Sequence, residues 1–202
     1  MTDLTGGGVL SPIDSVSSTE QNPRPIMSMI QSGAREGMDT HEGGYYRAGF
    51  TAAMNGMTAR GVIVDPFARN CEWGTLTNDI DPDTKAAQHL DAVDFLKTIP
   101  DRCADVVLFD PPFSPNQAER YGVGMSNIYT DGKYVSQCMK EIERVLKTGG
   151  RLLKLGYNSC RHRPTFRLQR VWLVNFGGNR NDVIMTLWGK SNHTLDEWGV
   201  IE

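Results

Sequence analysis

Ala104-Asp105-Val106-Val107-Leu108-Phe109-Asp110-Pro111-Pro112-Phe113 opens as a buried strand and stops at an acid followed by two prolines. Branched and aromatic residues favour the extended chain. Proline lacks the N–H a strand interior needs, so the strand ends at Phe109 or Asp110. Shorter runs of the same kind precede it. Gly61-Val62-Ile63-Val64-Asp65 reads as a buried strand ending in an acid, and Leu76-Thr77-Asn78-Asp79 as a weaker one. Residues 82–90 read as a short helix, with a third strand near the start of Asp91-Ala92-Val93-Asp94-Phe95-Leu96. Residues 45–59 suit a helix, with Phe50, Met54 and Met57 at helical spacing. Downstream, residues 129–146 form an amphipathic helix presenting Val135, Cys138, Met139, Ile142, Val145 and Leu146, and Gly149-Gly150 is its stop signal. Strands follow at 151–155, 168–174 and 183–188. Alternating strands and helices imply an α/β fold, a mostly parallel sheet with helices on both faces. The last two strands are joined by a short Gly/Asn turn. Parallel strands need a crossover of a dozen or more residues, so this pair is an antiparallel hairpin.

The chain has 202 residues, enough for one domain with a full core but not for two ordinary ones. Residues 1–24 are rich in Gly, Ser, Thr and Pro without apolar periodicity, and read as a flexible tail. Residues 25–202 read as the single domain. Its start, 26–44, carries only a weak helical signal at 27–31. Hydrophobic residues make up 39% and charged residues 22%, the range of a soluble globular chain. No apolar run reaches membrane-helix length, and Met1-Thr2-Asp3-Leu4 does not start a secretory signal. Cys71, Cys103, Cys138 and Cys160 lie singly, with no histidines at metal spacing. They read as reduced thiols of a cytoplasmic protein with no metal site.

The net charge of −3 excludes binding to nucleic acid by bulk charge, but it hides an asymmetry. From Arg144 to Lys190 there are ten Lys/Arg and one acid, Asp182, a local charge of +9. The rest carries 11 Lys/Arg and 23 acids, or −12. The basic segment either offers one face to a polyanion or spreads its charges over several faces.

Ligands of open α/β sheets bind outside the carboxyl ends of the parallel strands. Asp65-Pro66-Phe67-Ala68, Asp79-Ile80-Asp81, Asp91-Ala92 and Asp110-Pro111-Pro112-Phe113 all fall there. One such acid can be an ordinary helix cap, but four on successive strands are harder to explain that way. Gly156-Tyr157-Asn158-Ser159 follows the fifth strand, and the hairpin loop shares the rim if the sixth strand is parallel.

Asp110-Pro111-Pro112-Phe113 resembles the D-P-P-[YF] box of class I, S-adenosylmethionine-dependent amino methyltransferases, whose fold is Rossmann-like. The resemblance implies that Asp110 and the Pro111 carbonyl accept the two N–H bonds of an exocyclic amine and localise its lone pair. Pro111 and Pro112 would hold the backbone steady, and Phe113 would stack on the base. A base inside a duplex cannot reach such a box, so the substrate is single-stranded or flipped out. For the donor, the resemblance assigns Asp79 to the ribose hydroxyls, with Asp81 the competing choice. It assigns Asp91 to the adenine amino group and the Ala92 N–H to the ring, with Asp94 the rival. Asp65, Pro66, Phe67 and Ala68 match the start of a D-P-F-x-G loop. The usual Gly-x-Gly turn is missing: Arg69 and Cys71 fill the glycine positions. Either Asn70 supplies the left-handed residue on a changed path, or donor binding is weakened.

Together with W-G (Trp73-Gly74), N-D (Asn78-Asp79), Y-N-S and G-G-N-R-N-D, the chain is similar to small adenine-specific DNA methylases of phages and archaea over about residues 61–190. This implies N6-adenine methylation of DNA in the cytoplasm, of the host cell if the chain is viral. Asn70 and Asn78 join the donor set. No room remains for a separate target-recognition domain. Ser114 and Arg120 in the loop after the box, Asn158, Arg161 and Arg163 after the fifth strand, and Asn179 and Arg180 in the hairpin turn are the candidate nucleic-acid contacts. An RNA methyltransferase acting on guanine N2 or adenine N6 is the alternative. A catalytically silent S-adenosylmethionine-binding subunit is another. Monomer and homodimer are equally compatible with the sequence.

Overall fold

A computed structural model describes residues 25–31, 44–56, 61–112, 132–157, 164–175 and 182–191. In chain order the elements are β1 (Ile26–Gln31), α1 (Gly44–Met54), β2 (Ile63–Asp65), β3 (Leu76–Thr77), α2 (Ala92–Thr98) and β4 (Ala104–Phe109). They continue with α3 (Gly132–Val145), β5 (Leu146–Gly156), β6 (Phe166–Asn175) and β7 (Val183–Lys190). The strands form one sheet in the order β1-β6-β7-β5-β4-β2-β3. Only β7 runs against the others, paired antiparallel with both β5 and β6. Parallel pairs join β1 to β6, β2 to β3, β2 to β4, and β4 to β5. The expected C-terminal hairpin is therefore present, and β6 ends on the same rim as the other parallel strands.

Two apolar layers sandwich the sheet. On one face α2 and α3 bury Phe95, Leu96, Ile142 and Val145 against Val107, Phe109, Leu152 and Trp188. On the other, α1 places Ala53 and Phe50 against Leu153, Met185 and Leu187. Alternation along β5 explains this arrangement: Leu152 faces the first layer, Leu153 and Leu155 the second. Of the apolar positions expected of α3, Cys138, Met139, Ile142 and Val145 are buried and Val135 is half-buried, while Leu146 is buried as the first residue of β5.

Four elements differ from the sequence reading. Residues 26–31 are a strand rather than a helical stretch. Six residues cannot sustain an isolated helix, and β6 offers them a hydrogen-bonded partner running from Ile26↔Arg170 to Gln31↔Asn175. The third strand expected near Asp91 shrinks to one parallel bridge, Asn78↔Gln88. Asp91 instead caps α2, its Oδ1 accepting from the Val93 N–H at 2.8 Å. Seven strands thus remain among the described residues, but β1 on the far edge supplies the seventh. Residues 82–90 do not form a helix. Neighbouring side chains capture the N–H groups a helix would use: Asn70 Oδ1 accepts from Lys85 and Thr77 Oγ1 from Ala87. Finally, α3 passes into β5 at Leu146, before the two glycines. The register jumps from Ala104↔Leu146 to Val106↔Arg151, and Gly149, with φ of 76°, turns the intervening chain out of the ladder.

The expectations for the tail 1–24, for Met57 and for the loops 113–131, 158–163 and 176–181 lie outside the described residues. No helix among the described residues is long and apolar enough to cross a membrane.

Candidate active site

The carboxyl ends of β2, β3 and β4 are adjacent in the sheet, so the acids that end them converge. Asp65 is fully buried. Its Oδ1 accepts from the Phe67 N–H at 3.1 Å, an Asx-type turn that starts the following loop. Burial pushes its carboxyl well above the ordinary value; the Phe67 bond pulls back, and the nearby charges of Asp110 and Asp79 add to the rise. Asp79 is also buried and raised, chiefly by burial. Hydrogen bonds from the Asp81 and Arg69 N–H groups, each 3.0 Å, and the Arg69 charge pull in the other direction. Asp110 is half-buried at the end of β4, followed by buried Pro111 and half-buried Pro112. Three carboxyl groups brought this close, two of them desolvated, make a rim that favours a cation or a donor of hydrogen bonds.

Asn78 organises this edge. Its Nδ2 donates to the carbonyls of Pro66 and Leu90 at 3.1 and 3.0 Å, and its Oδ1 accepts from the Leu90 N–H at 2.9 Å. Its backbone N–H donates to Asp65 O, and its own O accepts from Ala68. Both amide hydrogens are thus committed to the scaffold, and Asn78 ties the β2 loop to the approach to α2. Phe67 and Ala68 are buried too, and Phe67 packs edge-on to Phe109 with ring centroids 5.6 Å apart. In this loop the side chains of Phe67 and Ala68 are packing groups.

The loop does replace a glycine by a left-handed residue, but that residue is Arg69 (φ 47°) and not Asn70. The reason is the tight return of the chain: Cys71 N–H bonds back to Ala68 O at 2.8 Å while the Arg69 N–H is drawn to Asp79. Asn70 is exposed and braces the 81–87 segment through Lys85.

Asp91 also has a partner that the sequence did not reveal. While Oδ1 caps α2, Oδ2 accepts from the Tyr134 hydroxyl at 2.8 Å. The Ala92 N–H faces the same phenol oxygen. Burial pushes the Tyr134 phenol above its ordinary value, and the adjoining Cys138 and Asp91 reinforce this. Cys138 is itself pushed up to about 12, first by burial and then by Asp91, so it is an inert thiol. Lys154 was likewise missed. It is buried in β5, in register with Phe109 immediately before Asp110. A lysine between Leu152-Leu153 and Leu155 was the available signal. Of the remaining candidates, Phe113, Ser114, Arg120, Asn158, Arg161, Arg163, Asn179 and Arg180 lie outside the described residues.

A cavity of about 1020 Å³ lies elsewhere, lined by Phe50, Met54, Arg151, Arg167 and Arg170 beside the amino-terminal halves of β1 and β6. Arg151 there closes the end of α1 by donating to the Ala53 and Asn55 carbonyls at 2.6 Å. It is separate from the rim that carries the acids.

No protein-family model matches the chain, and no curated protein matches it significantly. Solved structures do. One is yhhF from Escherichia coli, which carries a provisional assignment as a methyltransferase: 11% identity, 74% of this chain and 86% of that one covered, TM-score 0.50. Another is TrmN from Thermus thermophilus: 16% identity, 71% and 47% covered, TM-score 0.50. The chain spans about half the length of TrmN. At these identities the likeness is one of fold. The fold is the Rossmann-like α/β arrangement of methyltransferases, with an antiparallel C-terminal hairpin.

Proposed function

We propose that the chain is an S-adenosylmethionine-dependent methyltransferase acting on the N6 amino group of adenine in DNA. The observation that carries this is the convergence of Asp65, Asp79 and Asp110 at the ends of three adjacent strands, with Pro111-Pro112 directly after Asp110. The donor set fits S-adenosylmethionine. Desolvated carboxyls suit a ligand bearing a sulfonium, an ammonium and ribose hydroxyls, because a nearby positive charge restores the ionised form that burial disfavours.

S-adenosylmethionine supplies an electrophilic methyl group. The chain's own part is to make a poor nucleophile competent. The adenine amino lone pair is delocalised into the ring. The Asp110 carboxylate accepts one N–H and the Pro111 carbonyl the other, which localises the pair and aims it. Pro111 and Pro112 fix the backbone so that neither acceptor reorganises. Phe113 stacks on the extruded base. Asp79 takes the ribose hydroxyls. Asp91 takes the donor's adenine amino group on a lone pair left over by Val93 and Tyr134, and the Ala92 N–H reaches the adenine ring in exchange for its contact with the Tyr134 oxygen. Ser114, Arg120, Asn158, Arg161, Arg163, Asn179 and Arg180 belong to the loops that would hold the phosphates and strand. The basic charge of residues 144–190 does not gather on this rim as a whole: Arg151, Arg167 and Arg170 line the separate cavity, and Arg144 and Lys147 pair with Asp101 and Asp105.

The test is transfer of a radiolabelled methyl group to DNA, RNA and protein, followed by mass spectrometry of the nucleosides. N6-methyladenine in DNA is the expected product, and Asp110→Ala abolishes it while calorimetry still detects donor binding. Label appearing only in RNA transfers the assignment to that polymer. Donor binding without transfer to any of the three leaves a silent subunit.

A further inference from the structure

Arg69 is held where a side-chain-bearing residue is disfavoured. Its φ of 47° is strained for any residue with a Cβ, and glycine would relieve it. The other non-glycine residue with positive φ among the described residues, Arg102, sits after α2, where its N–H donates to Arg144 O near the end of α3 at 3.0 Å. Arg69 instead lies on the rim, in the loop that leaves Asp65, with its N–H on Asp79 Oδ2 at 3.0 Å. Its Nε is buried, so the start of the guanidinium lies against the protein instead of trailing into solvent. The charge is close enough to Asp79 to draw that carboxyl back down.

The electrostatics of the rim make this position meaningful. Asp65, Asp79, Asp81 and Asp110 create a negative edge. Such an edge welcomes the sulfonium and ammonium of S-adenosylmethionine but repels its carboxylate. A ligand carrying both signs needs one cation set among those acids. A guanidinium is the group whose paired donors match a carboxylate.

We propose that Arg69 binds the carboxylate at the amino-acid end of the methyl donor and so sets the loop's selectivity for S-adenosylmethionine over its decarboxylated counterpart. The inference rests on the methyltransferase function proposed above and deepens it. Arg69 contributes to binding and does not touch the transferred methyl. The tight return of the chain imposes the left-handed backbone at position 69 whatever its side chain, so strain and ligand binding can be separated experimentally.

The experiment is calorimetric titration of the full chain with S-adenosylmethionine and with decarboxylated S-adenosylmethionine, using wild type, Arg69→Met and Arg69→Gly. Wild type prefers S-adenosylmethionine by about tenfold or more, the scale of one charge-assisted hydrogen-bonded pair. Arg69→Met lowers affinity for S-adenosylmethionine by a similar factor and leaves the decarboxylated compound within about twofold, so the preference disappears. Arg69→Gly loses the same preference while its urea midpoint rises, because the strain is gone. Wild type binding both compounds equally, or Arg69→Met weakening both by the same factor, overturns the proposal and leaves the methyltransferase function standing. Wild type binding neither compound removes both.

Discussion

Replacing Tyr134 by Phe deletes a single oxygen and keeps the ring, so it tests the contact between α3 and the α2 cap without opening a cavity. The hydroxyl donates to Asp91 Oδ2 at 2.8 Å, and Asp91 is held on its other oxygen by Val93. Hydrogen bonds to charged groups contribute about 1.5–3 kcal/mol. Both Tyr134 and Asp91 are half-exposed, so water partly replaces the lost donor and the lower end applies, about 1.5 kcal/mol. For a chain of this size each kcal/mol moves the midpoint by about 2–4 °C, so Tm falls by roughly 3–6 °C. The pH dependence has a definite sign. The phenol is raised in the folded chain above its ordinary 10.0. Its contribution is therefore complete below that value and declines as pH rises through the higher folded one, because the unfolded chain ionises first. Phe lacks this term, so the gap between the two proteins is flat from neutral pH to about 10 and narrows above it. Urea unfolding at a series of pH values measures both quantities. A loss under about 0.5 kcal/mol, the scale of an ordinary surface change, would refute the claim that this bond anchors Asp91. So would a gap that widens in alkali.

Two further perturbations address the same rim. Gly74→Ala places a Cβ 2.8 Å from Thr77 Cγ2 and 3.2 Å from Asp65 Cβ. Neither can yield, since Thr77 is stiff at χ1 and Asp65 is fully buried, so the change costs about 1–2 kcal/mol in urea unfolding and weakens donor binding; a stabilised variant with intact binding would contradict the packing. Asp65→Asn keeps the acceptor for the Phe67 N–H and removes a charge that burial disfavours. Because the folded carboxyl is raised, wild type loses stability as pH climbs from the ordinary 3.8 through the folded value. The Asn variant does not, and it gains a few degrees in Tm at neutral pH while binding the donor less well. A Tm difference independent of pH would count against the raised carboxyl.

Much of the architecture was legible because its causes are local. The 104–109 run is strand-forming from Val106 to Phe109 and is cut by prolines that no tertiary contact can overrule. The stripe of α3 follows from residues three and four apart. The hairpin follows from a turn too short for a crossover. The misreadings share one physical origin, capture by a partner distant in sequence. Ile26–Gln31 becomes a strand because β6 lies beside it. Residues 82–90 stay irregular because Asn70 and Thr77 take their N–H groups. Asp91 leaves the strand role for that of a cap, and its second oxygen goes to a tyrosine 43 positions away.

The order of residues by itself determined the alternation of strands and helices, the reversal of the last strand, and the placement of acids at strand ends, because periodicity, proline and loop length act within a few positions. The folded structure alone decided which acids are desolvated, that Asn78 serves the scaffold, that Arg69 and not Asn70 takes the left-handed conformation, and that β1 completes the sheet. Burial, backbone strain and edge pairing depend on atoms that come together only when the sheet closes, and no local pattern carries them.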